Sequence, residues 1–205
     1  MNPYTTIKNE ASFEFEDRKS VFIATAAPVS TEAEALDFLA YVKKKYPDAK
    51  HHVYAYVLRE NSIMRFSDDR EPQGTAGMPV LDVIRKNGCT DTAIVVIRYF
   101  GGTLLGTGGL VRAYSSAAAG ALEKAEIITY DIYNTLQIKV TYSDYQKIIP
   151  IINDYSMRID DTKYTDFVII DGRIQKNSSA ALEKAIVDTT GGRSEIKILK
   201  EIFDF

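Results

Sequence analysis

The stretch DTAIVVIRYFGGTLLGTGGLVRAYSSAAAGALEKAE, residues 91–126, passes through three kinds of backbone in succession. Thr92–Tyr99 is an almost unbroken β-branched and apolar run, the pattern of a strand covered on both faces, and it is expected at the centre of a sheet. From about Gly108, small and apolar residues recur at helical spacing, predicting a long helix that lies close against that sheet. Between them fall Gly101, Gly102, Gly106, Gly108 and Gly109. Glycine loses the most freedom on folding, so a cluster implies left-handed turns, tight packing, or the close approach of a ligand.

Two readings of the loop stand side by side. In one, main-chain amides at the helix N-terminus, with its partial positive charge, face an anion; Arg98, Arg112 and Ser115 add charge and hydrogen bonds. In the other, the glycines only turn the chain and let the helix pack. The phosphate-binding pattern that ends in Gly-Lys-Ser/Thr is excluded, because Gly-Gly-Leu stands there, and the spacing does not match G-x-G-x-x-G.

Toward the N-terminus, ASFEFED and RKSVFIATAAPV read as a hairpin turning near Asp17. STEAEALDFLAYVKKKYP reads as a helix, with Thr31 and Glu34 as a capping box, Leu36, Leu39 and Val42 on its buried face, and Pro47 beyond its end. A second hairpin turns at Glu60–Asn61. A polar loop then leads into a short helix with Pro79 in its first turn and Gly88 as its stop. Residues 1–131 thus give β-β-α-β-β-α-β-α, an α+β domain. Residues 132–205 give β-α-β-β-α-β, the ferredoxin-like order. Here the strand TLQIKVTY opens the domain, Ser143 and Gln146 form the expected cap of its first helix, and Pro150 predicts a kink or an early end to that helix. The boundary is expected near Asp131–Asn134.

The composition is that of a folded domain pair: 205 residues, 45% hydrophobic, 26% charged, net charge −3. Neither half is basic, with 15 Lys and Arg against 16 Asp and Glu in residues 1–130 and 10 against 12 in 131–205. That excludes the strongly cationic class of nucleic-acid binders. The basic segment KKKYPDAKHH, 43–52, reads as a solvated helix end. No apolar run spans a bilayer and the N-terminus has no secretory pattern, so a cytoplasmic location without membrane contact is expected. Cys89 stands alone, and His51 and His52, adjacent on a strand, point to opposite faces; no metal and no cofactor are expected.

A second cluster, SDDREPQGTAGMP, gathers Asp68, Asp69, Glu71, Gly74 and Thr75. Its acids suit a cation or acid–base chemistry, and they equally suit an ordinary turn. No histidine, serine or lysine completes a catalytic set with them at a recognised spacing. Tyr54 and Tyr56 share one face of a strand, either as a stacking platform or as sheet core.

The stretch SDDREPQGTAGMPVLDVIRKNGCTDTAIVVIRYFGGTLLGTGGLVRAYSSA, 67–117, resembles the YigZ/IMPACT family, and the flanking element pattern resembles its bacterial two-domain members. Arg70 stands where the family usually has glycine, and Gln73 where a small residue is common. The resemblance implies a first domain like domain IV of elongation factor G, with a left-handed βαβ crossover, an exception to the usual handedness. It implies a second domain like domain V of the same factor. It also implies RNA or ribosome association and a role in translation control, with no sequence-specific reading of DNA. The alternative is a binder or enzyme that cradles a phosphorylated metabolite in the glycine loop. A proline-dipeptidase label used for some relatives is disfavoured by the missing metal-ligand pattern.

Overall fold

The computed structural model describes residues 2–205. The chain divides into two compact units, one from Tyr4 to Thr129 and the other containing Tyr130 to Phe205. The first contains β1 (Tyr4–Ile7), β2 (Ala11–Asp17), β3 (Ser20–Pro28), α1 (Glu32–Lys45), β4 (His51–Val57), β5 (Met64–Ser67), α2 (Gly77–Lys86), β6 (Thr92–Tyr99) and α3 (Gly106–Lys124). Strands β2 to β6 form a sheet in the order β2-β3-β6-β4-β5, every neighbouring pair antiparallel. The run at 92–99 is central, as its composition requires. Its alternate residues serve two cores: Ile94 and Val96 pack toward α2 and α3, while Ala93, Val95 and Ile97 pack toward α1. Burial on both faces is why the run is apolar at nearly every position.

Helix α3 buries Leu110, Ala113, Tyr114, Ala117, Ala118, Ala121 and Leu122, one stripe at helical spacing. Its alanines allow a close approach to the sheet. At Gly120 the approach is closest, since a Cβ would lie 2.4 Å from the Phe13 ring. Helix α1 is capped by Thr31, whose Oγ1 accepts the Glu34 amide at 3.2 Å, and Glu34 accepts the amide of Ser30 at 2.6 Å. Its buried face is Ala35, Phe38, Leu39 and Val42; Leu36, expected there, is half exposed. The i, i+3, i+4, i+7 spacing from Ala35 excludes Leu36 from the stripe.

The first hairpin turns through Arg18 and Lys19, both at positive φ, between the paired residues Asp17 and Ser20. Strand β1 lay unread in the sequence, its four residues being too few for a periodicity. Tyr54 and Tyr56 stack with centroids 6.1 Å apart. They belong to the core under α1, where the Tyr56 hydroxyl donates to Glu32 at 2.7 Å, so they form no open platform. Cys89 is buried, which pushes its thiol up to about 11. Among the described residues, no helix is long and apolar enough to cross a membrane.

The second unit holds most of β7 (Ile127–Val140), then α4 (Tyr142–Asp154), β8 (Arg158–Tyr164), β9 (Val168–Gln175), α5 (Lys176–Thr190) and β10 (Glu195–Asp204). Its strands run β10-β7-β9-β8, all neighbours antiparallel. This is the ferredoxin-like order inferred from the element sequence. Strand β7 starts earlier than expected and runs through Asp131–Asn134, so the expected linker is strand. Helix α4 is capped by Thr141, which accepts the Asp144 amide at 3.3 Å, in place of Ser143. It continues past Pro150 to Asp154. The carbonyl that proline deprives of a donor belongs to Gln146, which is exposed and open to water.

Asp144 ties this unit together. Its carboxylate accepts two bonds from Arg193, at 3.0 and 2.9 Å, one from Lys147 at 2.9 Å and one from the Thr141 hydroxyl at 3.1 Å. The Arg193 bonds first, and then that of Lys147, hold its carboxyl well below the usual carboxylate range. A carboxyl depressed on folding stabilises above its unfolded value of about 3.9, and that stabilisation fades as pH falls toward the folded value. Asp144→Asn is therefore expected to lower the melting temperature at pH 7, with the gap to the parent narrowing as pH drops below about 4. Circular-dichroism melts across that range check it; a gap independent of pH would contradict the assignment.

Candidate functional site

Antiparallel register places Phe22 of β3 and His51 of β4 on either side of Arg98 of β6. These three make one row across the sheet, on the face that α3 covers. Arg98 is 5% exposed. Its Nη1 donates to Glu71 Oε1 at 2.7 Å, and the Tyr114 hydroxyl of α3 donates to the same oxygen at 2.8 Å. Burial first, and then the Glu71 charge, push the Tyr114 hydroxyl far above the ordinary phenol value. Arg98 Nε lies buried without an acceptor. A buried ion pair stands only when its charges are mutually satisfied, so Glu71 is needed wherever Arg98 is.

The loop between β5 and α2 delivers Glu71. Asp68 accepts the amides of Gly74, Ala76 and Gly77 at 2.9, 3.0 and 2.8 Å, satisfying the start of α2. The Asp69 carboxylate accepts the His52 amide at 2.6 Å, and the Asp69 carbonyl accepts from His51 Nδ1 at 2.8 Å. The Thr75 hydroxyl donates to the Pro72 carbonyl at 2.6 Å. The three acids thus hold three different parts of the fold and do not converge. Among the described residues no group of three His, Cys, Asp or Glu is placed to hold a metal ion. Arg70 has φ 71° with its side chain in solvent, so the residue that departs from the family's glycine still takes a glycine-like conformation. Gln73 is exposed.

The glycines divide by role. A Cβ on Gly101 would stand 2.0 Å from the Lys19 carbonyl group, so this position is fixed by contact. Gly102 and Gly106 have φ 82° and 72° and serve the turn. Gly109 faces Leu105, and Gly108 faces the Arg112 guanidinium. Helix α3 begins at Gly106, two residues before the expected start, and Leu105 at its cap offers no side-chain acceptor. The amides of its first turn, at exposed Gly106, Thr107 and Gly108, are left to solvent or a ligand.

Gly106 and Thr107 border a cleft of about 420 Å³ whose walls include Lys50, His51, Glu71, Arg98 and Phe100. Phe100 and Leu104 stand at its rim, 47% and 81% exposed. Arg112 is exposed beside the first turn and forms no ion pair among the described residues. Ser115 lies elsewhere, in a groove between α2 and α3 with Met78 and Val83. Of the residues expected to bind an anion, Arg98 and Gly106 line the cleft and Arg112 flanks its helix. Arg98 meets it with its charge already matched by Glu71. Lys50, His51, Phe100 and Thr107 were missed. His51 was the recoverable one, since strand alternation places it on the face of Val53 and Ala55, beneath α3.

This two-domain α+β chain has well-defined counterparts. Residues 18–122 match the Impact N-terminal domain and residues 138–193 a domain of unknown function, DUF1949, and the chain belongs to the IMPACT family. It is 33% identical to IMPACT family member YvyE of Bacillus subtilis over 96% of this chain and 91% of that one. It is 30% identical to IMPACT family member YigZ of Escherichia coli over 91% and 93%. A crystal structure described as that of a hypothetical protein covers 98% of both chains at 28% identity, with a TM-score of 0.60.

Proposed function

We propose that this protein binds RNA, as a free strand or on the ribosome, and acts in translation control without catalysing a reaction. The contact surface is the first turn of α3 with Lys50, Arg112 and the exposed ring of Phe100. The observation that carries the reading is a long helix whose N-terminal amides have no side-chain cap, beside two exposed cations, Lys50 and Arg112, that form no ion pair among the described residues. Phosphate oxygens suit the amides and cations, and a base suits the face of Phe100. The translational setting is supported by membership of the IMPACT family, for which the resemblance implies translation control. Binding without chemistry is supported by the carboxylates, each already engaged in holding the fold.

Co-sedimentation with ribosomes and fluorescence anisotropy with single-stranded and structured RNA, over a salt series, test the reading. Affinity is expected to fall with salt, and Arg112→Ala to weaken binding and reduce the log–log salt slope by about one. Binding that is absent or indifferent to salt, or an Arg112→Ala variant that binds like the parent, would overturn it.

A further inference from the structure

His51 holds a proton-accepting nitrogen toward the cleft that the preceding reading leaves unused. Its Nδ1 is 2.8 Å from the Asp69 carbonyl oxygen, which only accepts, so Nδ1 carries the hydrogen and Nε2 the lone pair. Nε2 lies 4.0 Å from Glu71 Oε1, within ion-pair reach but beyond hydrogen-bond distance, and has no hydrogen-bond partner among the described residues. The groups facing this ring come from every element around it. Lys50 precedes it, Arg98 is its register neighbour on β6, and Glu71 and the Asp69 carbonyl come from the loop after β5. Gly106 and Thr107 of α3 line the same cleft. Arg98, nine-tenths buried with Nε unbonded and its charge matched by Glu71, lines the same cleft.

We propose that the cleft receives a terminal phosphate, a phosphomonoester at the end of an RNA strand or on a small phosphorylated molecule, with His51 as its proton-dependent ligand. The proposal rests on the reading of the α3 N-terminus as an anion site. Charge favours a monoester: Arg98 and Glu71 offset each other, leaving Lys50 and, once protonated, His51 to meet a group whose charge approaches −2 above its second ionisation, about 6. An internal phosphodiester carries only one negative charge. Size agrees, because about 420 Å³ lies in the range of small-molecule sites.

Two ionisations then set the pH dependence. An imidazolium attracts a phosphate and a neutral imidazole ring does not, while the phosphate loses its second charge below about 6. Affinity for a monoester is expected to peak between these limits and decline on both sides. A strand without a terminal phosphate has no second ionisation and shows no acidic decline.

The test uses the full chain and a 3′-labelled decaadenylate carrying either a 5′-phosphate or a 5′-hydroxyl. Anisotropy is followed from pH 5 to 8.5 at constant ionic strength, with AMP and inorganic phosphate as competitors and as ligands in thermal shifts. The 5′-phosphate strand is expected to bind about tenfold more tightly near pH 6.5, a preference that shrinks by pH 8.5. It is expected to be lost in His51→Gln and reduced in Lys50→Ala, whose exposed side chain supports no packing. Equal affinity for both strands overturns the terminal-phosphate site and leaves RNA binding standing. Thermal shifts with AMP or phosphate but no RNA binding support the site with a small-molecule source and overturn the RNA reading. A preference unchanged by pH and by His51→Gln overturns the role of His51, and silence from every probe overturns both readings.

Discussion

Glu71→Ala is expected to destabilise the first domain by about 3–5 kcal/mol, because it leaves the Arg98 charge buried without a counter-ion and the Tyr114 hydroxyl without its acceptor. Urea unfolding of the full chain, followed by circular dichroism, measures it. The size comes from the unmatched charge and not from the intrinsic worth of the pair, which fixes a second expectation. Glu71→Leu combined with Arg98→Met removes both charges and fills similar volume, so it should recover most of the loss. Glu71→Gln keeps the shape and an acceptor oxygen while removing the charge, and should fall between parent and alanine variant. If the double variant were no more stable than Glu71→Ala, the loss would lie in packing, and the account of the buried pair would be wrong.

Gly101→Ala is the other substitution expected to cost heavily, about 3 kcal/mol, at the upper end of overpacking effects. The added methyl would meet the Lys19 carbonyl group at 2.0 Å and the Ser20 nitrogen at 2.5 Å, and backbone atoms have no rotamer into which to retreat. Ser20 compounds the effect, because its Oγ accepts the Gly101 amide at 3.2 Å and any shift lengthens that bond. Gly102→Ala provides the comparison. That position has open space around it and a φ of 82°, so only the left-handed conformation is penalised, by about 1–2 kcal/mol. Thermal melts of the two variants separate contact from conformation. Equal losses would mean that the Arg18–Lys19 turn yields and that Gly101 is not pinned.

How much of this was legible in the sequence depends on the range over which each feature is decided. The central position of 92–99 was legible because burial on both faces leaves an unbroken apolar run, a property local to the strand. The ferredoxin-like order was legible from element succession, since short connections and antiparallel pairing leave few alternatives. Leu36 and Ser143 misled because a cap or stripe shifted by one or two residues satisfies the same local pattern, and tertiary contacts choose between them. The partnership of Arg98 with Glu71 and Tyr114 spans 27 and 43 residues, and nothing local to any of the three marks it. Likewise, the three acids at 68–71 look like one cluster when written in a line. They serve three separate tasks because two left-handed residues, Asp69 and Arg70, turn successive side chains apart.

Arg98 and His51, in one row with the core residue Phe22, lie at once against the hydrophobic interior and in the bed of the cleft. A substitution there is tested twice, for folding and for recognition, whereas Lys50, Phe100 and Leu104 at the margin are tested once. Within the family, diversity of ligand preference should therefore accumulate around the mouth and leave the bed unchanged, so that relatives come to differ in what they admit before they differ in how they hold it.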